Sequence, residues 1–218
     1  MELNKFIDHT LLKPDATKEQ IKQLCTEANQ HKFASVCVAP SMVPTVVKFN
    51  VDNESNVKIC TVIGFPHGNS GVLSKCKQIE DVPHVDEFDV VIDIGSIKSD
   101  VWYDVSKEIQ FIRNCSRKTI KYIVEIGYLS DDELFKLTDL LMEYKIDFIK
   151  TCTGYGPRNV TLEDIVKIKR YVGNRIKIKA SGGIKTAEFA RQLIEAGADR
   201  IGTSSSVSIM NELQKQGV

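Results

Sequence analysis

The chain has 218 residues, 42% of them hydrophobic, which is enough for a full core in one large domain or two small ones. Its 29 basic and 29 acidic residues balance to a formal net charge of +0, so the basic surplus typical of a nucleic-acid-binding protein is missing. No apolar run approaches the ~20 residues that span a membrane, and the stretch from Met1 to Thr10 lacks the hydrophobic region of a signal peptide. We therefore expect a cytoplasmic protein with no nucleic-acid partner and no membrane partner.

The elements predicted along the chain alternate between short apolar strands and amphipathic helices. Strands are predicted at 6–12, 34–38, 57–63, 88–94, 119–126, 146–150, 176–180 and 200–202. A helix is predicted after each strand, because apolar residues then recur at helical spacing. Several helix starts carry the capping-box spacing, as in Thr17 with Gln20, Ser130 with Glu133 and Thr161 with Asp164.

Eight strand–helix units require a parallel sheet with right-handed crossovers. This number of units favours closure into a (β/α)8 TIM barrel, with an open doubly wound sheet as the alternative. No low-complexity linker interrupts the pattern, so we expect one barrel domain over residues 1–218.

The six cysteines contain no CxxC pair, and several lie in predicted strands, where cysteine is usually a small buried hydrophobe. We therefore expect reduced thiols, with no disulfide and no zinc site. These cysteines are Cys25, Cys37, Cys60, Cys76, Cys115 and Cys152.

Two lysines end the sixth and seventh predicted strands, and each precedes a turn rich in small residues. Lys150 is followed by Thr151, and Lys179 comes shortly before Ser181-Gly182-Gly183. The active site of such a barrel lies at the carboxyl ends of its strands, so the two amines should lie close together. A second cation and desolvation lower the pKa of a lysine, and the free amine then attacks aldehydes and ketones to give a Schiff base. The alternative is that each lysine extends outward to solvent.

Acidic residues end other strands of the predicted barrel. Asp89 shares a strand face with Val91 and Asp93, and an ionised carboxylate beside the lysines could move protons through a bound water. The alternative is a structural ion pair with a lysine, above all for Asp93. Asp8, at the end of the first strand, is a further candidate acid.

The last two strands are followed by turns that are suited to binding phosphate. Gly182 and Gly183 follow the seventh strand, and Ser204 and Ser205 follow the eighth. Loops at these positions are the usual phosphate site of the fold, where backbone N–H groups, helix N-termini and hydroxyls meet the anion. The alternative is that they are only tight turns.

Seven stretches of the chain together resemble the deoxyribose-phosphate aldolase family of class I aldolases. They are IDHTLLKPDAT, ASVCVAP, CTVIGFPHG, DVVIDIGSIKS, DFIKTCTGYG, IKASGGIKT and RIGTSSS, and they cover nearly the whole chain. The resemblance implies reversible cleavage of 2-deoxy-D-ribose 5-phosphate to acetaldehyde and D-glyceraldehyde 3-phosphate. It implies no cofactor and no metal, because a protonated imine serves as the electron sink.

The resemblance also implies roles for individual residues. Lys150 would form the Schiff base, Lys179 would lower its pKa, and Asp89 would relay protons. Asp8 would support Lys179, and the remaining residues would bind substrate or its phosphate: Cys37, Thr151, Gly182, Gly183, Ser204 and Ser205. Two rival hypotheses are a sugar-phosphate isomerase that forms no imine and a non-catalytic barrel that binds a sugar phosphate.

The partners expected from these functions are small molecules, namely a sugar phosphate and aldehydes. A homodimer is one option, because many barrels pair through exposed helices.

Overall fold

A computed structural model describes residues 2–215, so the predicted domain bounds at 1 and 218 lie outside the described residues. Eight parallel strands pair in chain order, and the last pairs with the first. This closed barrel confirms the predicted (β/α)8 fold and excludes the open sheet. The strands are β1 (Ile7–Leu11), β2 (Ser35–Val38), β3 (Ile59–Ile63), β4 (Glu87–Val91), β5 (Thr119–Ile123), β6 (Phe148–Lys150), β7 (Lys177–Ser181) and β8 (Arg200–Thr203).

Helices surround the barrel and cover the outer faces of the strands. They are α1 (Lys18–His31), α2 (Val43–Asp52), α3 (Val72–Glu80), α4 (Ile94–Lys98), α5 (Trp102–Cys115), α6 (Asp131–Glu143), α7 (Leu162–Val172), α8 (Ala187–Glu195) and α9 (Ser206–Lys215). One continuous apolar core fills the layer between strands and helices. No helix among residues 2–215 is both long and apolar enough to cross a membrane.

Side chains that bond to free backbone N–H groups fix where several helices begin. Thr17, Ser130 and Thr161 each accept a hydrogen bond in a complete capping box, as the sequence predicts. Thr186 caps α8 in the same way, although without the reciprocal bond.

The short helix α4 corrects one predicted boundary. The sequence predicts a strand up to Ile94, but β4 ends at Val91. The Asp93 carboxylate accepts hydrogen bonds from Gly95 N at 3.0 Å and from Ser96 Oγ at 2.9 Å, which begins a helix instead. Asp93 is therefore a helix cap, and within residues 2–215 it forms none of the suggested ion pairs with a barrel lysine.

The expectation of six reduced cysteines is wrong for one pair. Helices α3 and α5 pack side by side and bring the Cα atoms of Cys76 and Cys115 to 6.0 Å, and the two residues form a disulfide. A buried ion pair between Lys75 Nζ and Glu108 Oε1, at 2.8 Å, joins the same two helices. The other four cysteines are free and buried.

Replacing the capping threonine of α1 tests the contribution of that cap. Thr17→Ala removes the acceptor for Gln20 N, so we expect the free energy of unfolding to fall by about 1 kcal/mol in urea titration. Thr26→Ala, in the middle of the same helix, is the control. The Thr26 hydroxyl bonds only to Lys22 O within the helix, and alanine is the better helix former. Equal losses for the two variants would contradict the assignment of the cap.

Candidate active site

The Asp89 carboxylate lies at the centre of a polar cluster inside the barrel. Its Oδ2 is 2.8 Å from Lys150 Nζ and 2.7 Å from Lys179 Nζ. Its Oδ1 is 2.9 Å from the Nζ of a third lysine, Lys121 on β5. Asp89, Lys121 and Lys179 are fully buried, and the side chain of Lys150 is 4% exposed.

Strand register explains why these four side chains meet. Asp89 pairs with Lys121 across β4 and β5, and Lys150 pairs with Lys179 across β6 and β7. Alternate residues of a strand face the same side, so each of these positions points into the barrel. The alternative that the two lysines extend outward to solvent is therefore excluded.

A second group of charges lies beneath the first. Asp8 Oδ2 is 2.5 Å from Lys179 Nζ, and Asp8 Oδ1 accepts hydrogen bonds at 2.6 Å from both Ser35 Oγ and Arg200 Nη1. Glu87 Oε2 lies 2.6 Å from Lys121 Nζ and 3.3 Å from the same guanidinium. The predicted supporting position of Asp8 next to Lys179 matches this geometry.

These contacts oppose the effect of burial on each charged group. Burial alone raises the pKa of the Asp89 carboxyl, but the three lysines that contact it hold that pKa well below its usual range. Burial also raises the pKa of the Asp8 carboxyl, but its cationic neighbours, above all Lys179, hold that pKa below its usual range. Burial lowers the pKa of Lys179 and of Lys121, but the surrounding carboxylates raise both above the usual lysine value. These four groups are therefore ionised at neutral pH.

Counting the charges inside the barrel singles out Lys150. The carboxylates of Asp8, Glu87 and Asp89 contribute three negative charges. Three cations balance them: Lys121, Lys179 and Arg200. A fourth cation would be unbalanced in a buried site, which is costly. Lys150 is the fourth basic group of the cluster, and it is the lysine of this group that lines the cavity above it.

Two thiols also contact the central carboxylate. Cys60 Sγ lies 3.2 Å from Asp89 Oδ1, and Cys37 Sγ lies 4.0 Å from Asp89 Oδ2. The three side chains are close enough to act together as metal ligands. The lysine nitrogens that already surround Asp89 oppose a further cation there, and the expectation of no metal stays a prediction.

A cavity of about 280 Å³ opens above Lys150 at the carboxyl ends of the strands. Its wall includes four of the predicted phosphate-binding residues: Gly182, Gly183, Ser204 and Ser205. Gly183 has a φ of +74°, and a Cβ atom there would lie 2.5 Å from Asn159 Cγ, so this turn requires glycine. The amine and the two turns thus face one cavity large enough for a small ligand.

Two predicted substrate-binding residues lie outside the lining of this cavity. Thr151 is fully buried, and its hydroxyl donates to Ser181 O at 2.9 Å and accepts from Ser181 N at 3.0 Å. Its side chain therefore joins β6 to β7 and does not face a ligand. Cys37 contacts Asp89 from below the cavity.

Sequence reasoning missed three charged members of the cluster, namely Glu87, Lys121 and Arg200. It considered only the carboxyl ends of strands, whereas Glu87 and Arg200 begin β4 and β8. Lys121 lies in mid-strand between apolar residues, in the sequence TIKYI. A charged residue in a strand buried on both faces indicates a partner inside the barrel and could have identified it.

Removing the central carboxylate should destabilise the fold in a pH-dependent way. Asp89→Asn leaves buried cations uncompensated, so we expect a loss of about 3–5 kcal/mol in the free energy of unfolding at pH 7. The folded-state pKa of Asp89 is lowered, so its contribution is complete above the unfolded pKa of about 3.9 and is lost as the pH falls through the folded value. Urea titrations from neutral to acid pH should show a shallower acid decline for the variant than for the wild type.

Asp93→Asn is the matched control, because asparagine caps a helix as well as aspartate does. Its unfolding free energy should stay close to that of the wild type at every pH. Equal effects of the two substitutions would contradict the central position of Asp89.

Comparisons with known proteins show which family this chain belongs to. The family model of the DeoC/LacD family of aldolases matches residues 3–215. The deoxyribose-phosphate aldolase of Caldanaerobacter subterraneus subsp. tengcongensis is 42% identical over 224 residues, covering 100% of this chain and 96% of the relative.

Solved structures of aldolases also resemble this chain over nearly its whole length. The structure described as "QR15, an Aldolase" has a TM-score of 0.92 and 38% identity, covering 99% of this chain and 97% of that chain. The deoxyribose phosphate aldolase of Aeropyrum pernix has a TM-score of 0.90 and 28% identity, covering 98% and 92%. The chain is therefore an aldolase, and it belongs to the DeoC/LacD family of aldolases.

Proposed function

We propose that this aldolase reversibly cleaves 2-deoxy-D-ribose 5-phosphate to acetaldehyde and D-glyceraldehyde 3-phosphate through a Schiff base on Lys150. The observation that carries the proposal is the position of Lys150: it contacts Asp89 and, unlike Lys121 and Lys179, it also lines the cavity. The names of the relatives support the substrate. The glycine and serine turns in the cavity wall supply backbone and hydroxyl groups for its phosphate.

Imine formation conserves the charge of the barrel in this proposal. The Lys150 amine attacks the C1 aldehyde of the open-chain sugar and gives a carbinolamine. The Lys179 ammonium donates a proton to the departing hydroxyl, which leaves as water. The positive charge thereby moves from Lys179 to the iminium, and Asp89 Oδ2, which lies within 2.8 Å of both nitrogens, stabilises it in either place.

Carbon–carbon cleavage then reverses this movement of charge. The neutral Lys179 amine accepts the C3 hydroxyl proton through a water, and the C2–C3 bond breaks as its electrons pass to the iminium. D-Glyceraldehyde 3-phosphate leaves, and the enamine remains on Lys150. The Lys179 ammonium protonates the enamine at C2, and the water that attacks the resulting iminium returns a proton to Lys179. Acetaldehyde then leaves, and both lysines are restored. Asp89 relays protons together with Lys179, because a carboxylate with so low a pKa is a weak base alone.

Reductive trapping tests the assignment of Lys150. Acetaldehyde and borohydride should leave an ethyl group on Lys150 in the wild type, and Lys150→Leu should abolish it, as read by mass spectrometry of peptides. Lys167→Leu, on the exposed face of α7, should keep the label. A labelled Lys150→Leu protein would refute the assignment, and an unlabelled wild type would favour the isomerase or the non-catalytic binding protein.

Removing the third lysine should slow the same trapping reaction. In Lys121→Met, three carboxylates face two cations, so the amine of Lys150 is driven to take up the missing positive charge. We expect the trapping rate at pH 7 to fall by about tenfold or more, and to recover as the pH is raised.

The control for this variant is Lys177→Met. Lys177 is exposed at the opposite end of the barrel, with its Nζ 5.4 Å from the centroid of the Phe148 ring. Its trapping rate should stay within about threefold of the wild type, because the charge of an exposed lysine is screened by solvent. A trapping rate in Lys121→Met that equals the wild type at pH 7 would contradict the charge count.

The proposed partners are the sugar phosphate and the two aldehydes. The relative from Aeropyrum pernix is described as tetrameric, and the homodimer suggested for this chain stays a prediction.

A further inference from the structure

Glu125 is a buried carboxylate that the proposed mechanism does not use. It follows β5 and is 2% exposed. Its backbone lies in the left-handed region, with φ of 48° and ψ of 65°. A non-glycine residue pays a conformational cost in this region, and such residues concentrate at ligand sites and active sites.

The carboxylate of Glu125 holds the loop that follows Lys150. Its Oε2 accepts hydrogen bonds from Thr153 N at 3.0 Å and from the Thr153 hydroxyl. Thr153 Oγ1 in turn accepts from Tyr155 N at 3.0 Å. A Cβ atom on Gly156 would lie 2.4 Å from Glu125 Cδ, so the loop passes directly over the carboxylate because this position is glycine.

The loop held in this way forms one wall of the substrate cavity. Thr153 and Tyr155 both line the cavity above Lys150. The Tyr155 ring packs edge-on against Phe65, with centroids 5.5 Å apart, and its hydroxyl donates to Leu12 O at 3.4 Å. Hydrogen bonds thus connect Glu125, through Thr153 and Tyr155, to loops on the far side of the cavity.

The Glu125 carboxylate has no other hydrogen-bond partner within residues 2–215. Its Oε1 is buried without a hydrogen bond, and the residue borders a second cavity of about 230 Å³ on the other side of Thr153 and Tyr155. Loss of the carboxylate therefore releases this wall and leaves the charged cluster inside the barrel intact.

The reactive lysine is held by other bonds. Lys150 O accepts from Val124 N at 2.9 Å, and Thr151 N donates to Lys179 O at 3.1 Å. These are backbone bonds from the residues that directly follow β5 and β6 to carbonyls of β6 and β7, so they do not require the side chain of Glu125.

We propose that Glu125 is a positioning residue for the sugar phosphate, which acts by fixing the Thr153–Tyr155 wall and not by touching the reacting atoms. The inference rests on the proposed function. It separates two properties of the site, because the wall affects binding of the sugar phosphate and the barrel cluster affects the reactivity of the amine.

Steady-state cleavage and acetaldehyde trapping, measured on the same Glu125→Ala protein, test the proposal. We expect KM for 2-deoxy-D-ribose 5-phosphate to rise by about tenfold or more, because hydrogen bonds to a charged group are lost from the wall. The rate of borohydride trapping at Lys150 should fall by less than about threefold, because acetaldehyde makes no use of that wall. Glu125→Gln keeps an acceptor oxygen for Thr153 and should recover most of the KM.

Glu133→Ala is the control for a purely structural loss. Glu133 is the acidic residue of the α6 capping box, a few residues further along the chain, so its removal should lower the melting temperature without changing KM. A Glu125→Ala protein that resembles this control, with lower stability and an unchanged KM, would overturn the proposal.

A double-mutant cycle with Thr153→Val tests whether Glu125 acts through its hydrogen bonds to Thr153. The combined effect of Glu125→Ala and Thr153→Val on KM should be much smaller than the product of the single effects, because both remove the same bonds. If the effects of the two substitutions on KM multiply, Glu125 does not act through Thr153. If the wild type cleaves the sugar phosphate but is not trapped at Lys150, the Schiff-base assignment fails. The KM of the Glu125→Ala protein still tests the role of Glu125 separately.

Discussion

The contact between the Asp89 carboxylate and three lysine amines is the interaction on which the site depends. All three nitrogens lie within 2.9 Å of its two oxygens, in an interior that water does not reach. Burying this many charges is unfavourable unless each one has a partner. Three carboxylates and three cations meet that condition, and the fourth basic group, the amine of Lys150, lines the cavity.

The barrel makes this arrangement possible because its strands are staggered and alternate inward and outward positions. Residues far apart in sequence, on β1, β4, β5, β6, β7 and β8, deliver their side chains to one small volume. The loops at the carboxyl ends then add a second layer with a different task. The turns after β7 and β8 offer N–H and hydroxyl groups, and the loop after β6 is tied to Glu125 below it. Amine reactivity and substrate placement are thus controlled by separate groups of residues.

Much of this could be predicted from the sequence, because it follows from local pattern. Eight repeated strand–helix units predict the closed barrel, and capping boxes such as that of Thr17 predict helix starts. Lys150 and Lys179 lie on neighbouring strands of the predicted barrel, so their proximity follows once the fold is accepted. Asp89 could be placed with them because an acidic residue in a buried strand needs a partner inside the barrel.

The rest depends on contacts that local pattern does not encode. Arg200 begins its strand and reaches the cluster only because its long side chain extends into the barrel toward Asp8. The Cys76–Cys115 disulfide depends on how two helices pack. Thr151 lies in a predicted ligand position, yet its hydroxyl is bonded to the neighbouring strand, which only the register reveals.

The protonation state of the three amines around Asp89 is the most direct test of this account, and neutron diffraction from deuterated crystals at neutral pH would show it. The account predicts three deuterons on Nζ of Lys121 and of Lys179 and two on Nζ of Lys150. Three deuterons on Lys150, with the other two lysines also fully protonated and the carboxylates ionised, would contradict it.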